Sequence, residues 1–232
     1  KPLFFGFSLD LEFMLELIQI LYSVKIYKGA EMRALVIGGT GDIGKAVVKA
    51  LRKEKAEVIV VGYSSGDIKL DITRSESIKA MYEAAGPMDA VICTAGRNIP
   101  IKPVTEMVKE DYIQGIQEKL LGQIDLVLTG IPYLTDNGSF TLTTGVLNKD
   151  LFPGGSCNAL INSAVESFVA SASLEMPRGI RLNAASPKLL KSSEKKYSSM
   201  LKGFESVPDS LVGLNYLKSI YGIINGRVVL IG

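Results

Sequence analysis

The sequence predicts an α/β fold, a doubly wound parallel sheet covered by helices on both faces. Three observations carry this expectation. From Met32 onward, short apolar runs of strand character alternate with helical stretches. The first connection between a run and a helix holds glycines at 38, 41 and 44. No internal repeat, low-complexity tract or linker splits 32–232, and the length of 232 residues suits one large domain. With right-handed crossovers, such a pattern places ligands at the carboxyl ends of the strands.

Residues 1–31 precede the pattern. Leu3 to Tyr22 is strongly apolar, but Asp10, Glu12, Glu16 and Gln19 interrupt it, which argues against a membrane span. A signal peptide is a poor match, with only Lys1 as a basic start and no distinct cleavage site. On a helix, Glu12, Glu16, Gln19 and Ser23 share one side, with Phe13, Leu17, Ile20, Leu21 and Val24 elsewhere around it. The stretch reads as an N-terminal extension, or as a helix that docks on a partner or membrane surface. The domain is expected to begin at Met32 and run through 32–232.

The first strand, Ala34–Ile37, leads through Gly38-Gly39-Thr40-Gly41-Asp42-Ile43-Gly44 into a helix near 43–54. Gly38 permits the sharp turn, Gly41 lets backbone N–H groups approach a pyrophosphate, and Gly44 lets the helix pack close to the sheet. The helix N-terminus adds free N–H donors and the positive end of its dipole. The turn, with Thr40, Asp42 and Ile43, is therefore expected to hold a dinucleotide; the plain alternative is a tight structural turn. The second strand, Val58–Val61, ends in Gly62-Tyr63-Ser64-Ser65-Gly66-Asp67. In this fold an acidic residue roughly 20 positions past the glycines reads the ribose 2′-OH of NAD. Here Tyr63, Ser64 and Ser65 stand directly after the strand instead. Small hydroxyl residues leave room for a 2′-phosphate and donate to it, which tilts the expectation toward NADP. No arginine completes that pattern, and Asp67 can swing in to serve NAD. Thr73, in Asp71-Ile72-Thr73, is a candidate cap for a helix over 75–85. The third strand, Ala90–Thr94, ends in small residues that let the backbone approach a ribose. A helix over 106–130, a strand at Ser139–Thr143, a helix over 156–175 and strands at Ile180–Ala184 and Arg227–Ile231 complete the pattern.

Composition narrows the chemistry. The net charge of +2, with no basic block, excludes nucleic acid and anionic membranes as expected partners. The absence of histidine removes Ser-His-Asp and Cys-His catalysis and most zinc sites, and no metal is expected. Two cysteines, Cys93 and Cys157, fit a reducing cytoplasm better than a disulfide scaffold. Neither has an evident base, so Cys93 reads as a core or cleft-lining thiol and Cys157 needs another route to a thiolate.

Taken in order, these pieces resemble the short-chain dehydrogenase/reductase family over nearly all of 32–232. Ile37–Gly44 matches its first glycine motif in the G-x-x-G-x-x-G form. Asp71-Ile72 looks like its adenine-contacting pair, and Cys93-Thr94-Ala95-Gly96 stands where Asn-Asn-Ala-Gly usually lies. Gly179 to Pro187 is similar to its Gly-Ile-Arg-Val-Asn-x-x-x-Pro segment, and Asn225-Gly226-Arg227-Val228 to the start of its last strand. The resemblance implies a Rossmann-like single domain that binds NADP or NAD, with Pro187 on the nicotinamide side. It further implies a homodimer or homotetramer built from the helices at 106–130 and 156–175. Small residues on the latter (Ser163, Ala164, Ala170, Ala172, Ser173) permit close packing. The family's substrate lid falls on Lys188–Ser210, polar and short here, so an open or small substrate pocket is expected.

The catalytic motif departs from the family. Its Tyr-x-x-x-Lys pair falls on Asn158 and Asn162, its serine on Gly145, and its helix asparagine on Lys119. An amide is neither acid nor base near neutral pH, and Asn162 has no charge with which to shift a neighbour. Asn158 and Asn162 lie one helical turn apart and can together hold a carbonyl or ribose hydroxyl. Lys119 can supply a proton or charge to the cleft, and Thr143 or Thr144 a hydrogen bond. The plainer reading makes the asparagines polar lining, Lys119 a solvated or stem-packed residue, and the threonines strand formers. Two functions follow: hydride transfer between NADP(H) or NAD(H) and a small carbonyl or alcohol substrate through a non-standard site, or nucleotide binding without turnover, as a sensor or structural subunit. An isomerase or lyase on the same frame is a third.

Overall fold

A computed structural model describes residues 32–232; the expectations for 1–31 lie outside the described residues. Strand β1 (Arg33–Ile37) is followed by helix α1 (Asp42–Lys53), β2 (Glu57–Gly62), β3 (Ile68–Lys69), α2 (Ser75–Ala85) and β4 (Met88–Cys93). Helix α3 (Lys109–Gly115) runs through a π-helical segment, Ile116–Leu121, into α4 (Gly122–Gly130). Then come β5 (Leu134–Thr143), α5 (Ser156–Ala172), β6 (Arg181–Pro187), β7 (Leu189–Leu190), α6 (Glu194–Tyr197), β8 (Ser206–Val207), α7 (Asp209–Tyr221) and β9 (Val228–Ile231).

Seven strands form one parallel sheet in the order β3-β2-β1-β4-β5-β6-β9. The chain winds outward from β1 toward β3, then restarts at β4 on the other side. That reversal opens a crevice above the carboxyl ends of β1 and β4. Helices α1 and α7 pack against each other, α2 packs on α4, and α4 on α5. The apolar period of α1 explains its seat, since Val47, Val48 and Leu51 are buried at helical spacing while its basic residues face out. The strands supply the centre, with Leu35, Ile37, Val91, Phe140 and Leu182 buried. Each such side chain contributes about 1.5–3 kcal/mol on burial. Tyr82 lies wholly inside, donating from its hydroxyl to the Leu126 carbonyl at 2.7 Å and stacking on Tyr133 at 5.2 Å.

Several parts of the fold differ from the sequence reading. The expected helix over 106–130 starts at Lys109, after a separate 3₁₀ turn at Val104–Glu106, and carries the π segment. Helix α7 was absent from the periodicity because its buried face mixes Val212, Tyr216 and Ile220 with Asn215 and Ser219. Ser219 is satisfied inside by the Thr141 hydroxyl at 2.7 Å, so polarity there does not mean exposure. Thr73 does not cap α2, whose N-cap is Arg74; its hydroxyl instead donates to Asp71 Oδ1 at 2.7 Å. The 188–210 segment is a folded strap, with β7 paired to β8.

Candidate active site

The glycine turn forms at the end of β1. Gly38 has φ +77°, and its N–H donates to the Val61 carbonyl at 2.8 Å. A Cβ there would stand 2.8 Å from the Ala95 nitrogen, which binds the turn to the end of β4. At Gly44 a Cβ would overlap the Gly38 carbonyl oxygen. Gly41 caps α1 without any side-chain hydrogen bond, which leaves the first-turn N–H groups open to an external acceptor.

A cavity of about 380 Å³ extends from this turn. Of the residues expected to bind cofactor, it brings together Gly41, Asp42, Ile43, Gly44, Thr94, Gly96 and Pro187. All four candidate catalytic residues, Lys119, Thr144, Asn158 and Asn162, line the same space. Its far wall is the strap, through Leu189, Leu190, Ser193, Tyr197, Met200, Leu201 and Phe204. The Ser193 hydroxyl donates to Asp42 Oδ2 at 2.8 Å, joining strap to glycine turn.

Lys119 is neither solvated nor merely packed by its stem. Only 8% of it is exposed, and its Nζ donates to Asn162 Oδ1 at 2.8 Å and to the Thr144 carbonyl at 3.2 Å. Burial pulls its ammonium down to about 8. Asn162 Nδ2 donates in turn to the Gly145 carbonyl at 3.1 Å, which sets the amide's orientation. Among the described residues, Asn158 Nδ2 is buried without any hydrogen-bond partner. Thr144 Oγ1 donates to Glu166 Oε1 at 3.3 Å.

Other candidates lie elsewhere. Thr143 belongs to the core, its hydroxyl 2.6 Å from the Cys93 carbonyl and 2.7 Å from the Tyr216 hydroxyl. Burial pushes the Cys93 thiol up to about 12 and raises Cys157 as well, so neither is a thiolate at neutral pH. Asp67 is not swung toward a ribose: its Oδ2 accepts from the Val60 N–H at 2.8 Å. Asp71 and Ile72 stand away from the cavity walls, Asp71 holding Thr73 and Ile72 packing beneath Gly122. Gly38, Tyr63, Ser64 and Ala95 are outside the cavity lining too. Thr40 and Ser65 line a separate depression with Lys45, Lys49 and Arg52.

Two features escaped the sequence reading. Lys45, Lys49 and Arg52 follow helical spacing, and that spacing was a usable signal. Arg97 follows Gly96 directly, but nothing in the sequence says where it points. Its guanidinium carbon lies 3.4 Å from the centre of the Tyr63 ring, and its Nε is 3.5 Å from Glu118 Oε2. A cation thus stands at the end of β2, where the linear sequence holds none.

A family model described as enoyl-(acyl carrier protein) reductase matches residues 39–220. The chain belongs to the short-chain dehydrogenase/reductase family. Among solved structures, the protein lin1944 from Listeria innocua is 44% identical, with a TM-score of 0.84 over 87% of this chain and 100% of that one. A small-chain dehydrogenase in complex with NADPH is 27% identical, with a TM-score of 0.76 over 87% of this chain and 97% of that one. The short-chain dehydrogenase/reductase ucsE of Acremonium sp is 28% identical over 188 residues, 66% of this chain and 70% of its own. In this short-chain dehydrogenase/reductase the polar end of the cleft is a lysine and two asparagines. Among the described residues, no helix is long and apolar enough to cross a membrane.

Proposed function

We propose that this short-chain dehydrogenase/reductase binds NADP(H) along the glycine turn and transfers hydride to or from a small carbonyl compound or alcohol. One observation carries the reading: a single cavity joins the first turn of α1 to Lys119, Thr144, Asn158 and Asn162. The residues present fit a dinucleotide. The first turn of α1 is uncapped and its residues line the cavity, while the glycines at 38, 44 and 96 let the turn, the helix and the end of β4 pack closely around it. Gly41 to Gly44 would hold the phosphates and Thr94, Gly96 and Pro187 the nicotinamide half. Bound there, the nicotinamide supplies or accepts hydride.

Preference for NADP over NAD is supported by Arg97, held by Glu118 over the ring of Tyr63, the residue that precedes Ser64 and Ser65 in the chain. A guanidinium matches a phosphate monoester better than a ribose hydroxyl. The NADPH complex of the 27%-identical neighbour points the same way. Fluorescence titration with NADPH and NADH tests both parts. NADPH should bind about tenfold or more tightly, and Arg97→Ala should erase most of that margin while leaving NADH unchanged. Failure of both cofactors at millimolar concentration overturns the proposal. Binding without turnover on any carbonyl of a panel would leave the chain a nucleotide sensor.

A further inference from the structure

We propose that Lys119 and Asn158 together form a two-donor seat for the oxygen of an apolar carbonyl compound, with Lys119 Nζ donating the proton to that oxygen. The proposal rests on the oxidoreductase reading above and names its substrate class. The π segment at Ile116–Leu121 is where Lys119 leaves α3, and π turns of this kind recur at functional sites. An ammonium has three donors. Two are committed, to Asn162 Oδ1 and to the Thr144 carbonyl, and because Lys119 lines the cavity the third would serve a ligand there. Asn162 cannot turn to compete, because its Nδ2 is held by the Gly145 carbonyl.

Asn158 sits one helical turn before Asn162 on α5 and lines the same cavity at 8% exposure. Its Nδ2 has no partner among the described residues. A buried donor left unmade is unfavourable, and an acceptor brought into the cavity that Asn158 lines would satisfy it. Two donors and a positive charge select an oxygen that carries or gains negative charge: a carbonyl, an alkoxide or an enolate. The same cavity is lined by Ile101, Val146, Leu147, Met200, Leu201 and Phe204 alongside the polar Asp42, Lys188, Ser193 and Tyr197, so a mainly apolar body attached to that oxygen would find apolar partners there.

The proton step balances within the site. The Lys119 N–H bond breaks, an O–H bond forms on the substrate oxygen, the ammonium becomes a neutral amine, and solvent later restores its proton. Burial brings that ammonium close to neutral pH, the range in which a general acid works best. The titratable neighbours are Cys93 on β4, Asp42, Lys188 and Tyr197 around the cavity, and Glu166 reached through Thr144.

Para-nitrophenol tests the seat without knowledge of the substrate, since it pairs an apolar ring with one oxygen whose ionisation is read by its colour. Wild-type protein should bind the phenolate at least about tenfold more tightly than the phenol, lowering the dye's apparent pKa by about one unit. Lys119→Met should abolish that preference, and Asn158→Leu should weaken binding of both forms several-fold while keeping it. Circular dichroism checks that each variant folds. Equal affinity for phenol and phenolate in the wild type, no binding at millimolar dye, or a preference that survives Lys119→Met overturns the proposal. NADPH titration runs in parallel: NADPH binding without phenolate preference removes the seat alone, whereas loss of NADPH binding removes the functional reading beneath it.

Discussion

Replacing Lys119 by methionine should stabilise the folded chain at neutral pH and destabilise it in alkali. An unfolded lysine keeps its proton up to 10.5, and the folded one only to about 8. Below about 8 both states hold the proton, and the folded state carries the full penalty of a buried ammonium. Between about 8 and 10.5 the unfolded chain binds more protons, so stability rises with pH, and above 10.5 the penalty is gone. At 1.36 kcal/mol per unit, this difference corresponds to about 3 kcal/mol. Methionine has a similar length and no charge, so it removes the penalty. It also leaves Asn162 Oδ1 and the Thr144 carbonyl without their donor, a loss of about 1 kcal/mol each. The variant should therefore be more stable by about 1 kcal/mol at neutral pH and less stable by about 2 kcal/mol above 10.5. Denaturant unfolding of both proteins at the two pH values measures this swing. Groups that do not interact with Lys119 titrate alike in both proteins and drop out of the comparison, whereas Cys93, whose charge interacts with that of Lys119, shifts with the substitution. A variant that differs from wild type by the same amount at both pH values would refute the reasoning. A site that holds a destabilising charge in this way trades stability for chemistry.

Two further outcomes follow from the turn and the strap. Gly44→Ala puts a methyl group onto the Gly38 carbonyl and 2.6 Å from Gly39 Cα. It should lower stability by about 1–3 kcal/mol and abolish NADPH binding, read by melts and titration; wild-type affinity in that variant would remove the turn from the cofactor site. Ser193→Ala removes the 2.8 Å hydrogen bond that joins strap to turn. Amide exchange across 189–201 should accelerate while global stability changes by about 1 kcal/mol or less, and unchanged exchange would show that the bond does not hold the strap.

Much of the fold was legible because its signals are local. The glycines at 38, 41 and 44 sit between an apolar strand and an amphipathic helix, and that order alone predicts the turn that forms. The six expected strands all occur in the sheet. The short β3, β7 and β8 were missed because two residues hold no period, and α7 because Asn215 and Ser219 on its buried face break the apolar pattern. The site was half legible. Asn158, Asn162, Lys119 and Thr144 were singled out and share one cavity, whereas Asp67, Thr73 and Thr143 bond elsewhere than expected.

By itself, the sequence determined the α/β frame, the crevice beside the glycine turn and the exclusion of histidine chemistry, because composition, period and backbone freedom are properties of neighbouring residues. The tertiary structure alone decided what stands in that crevice. Lys119 and Asn162 are 43 positions apart, and Arg97 and Tyr63 come from different strand ends. Whether a lysine head meets water or an asparagine oxygen depends on how two helices cross, and burial then sets its proton affinity. Such pairings are long-range, and no window along the chain contains them.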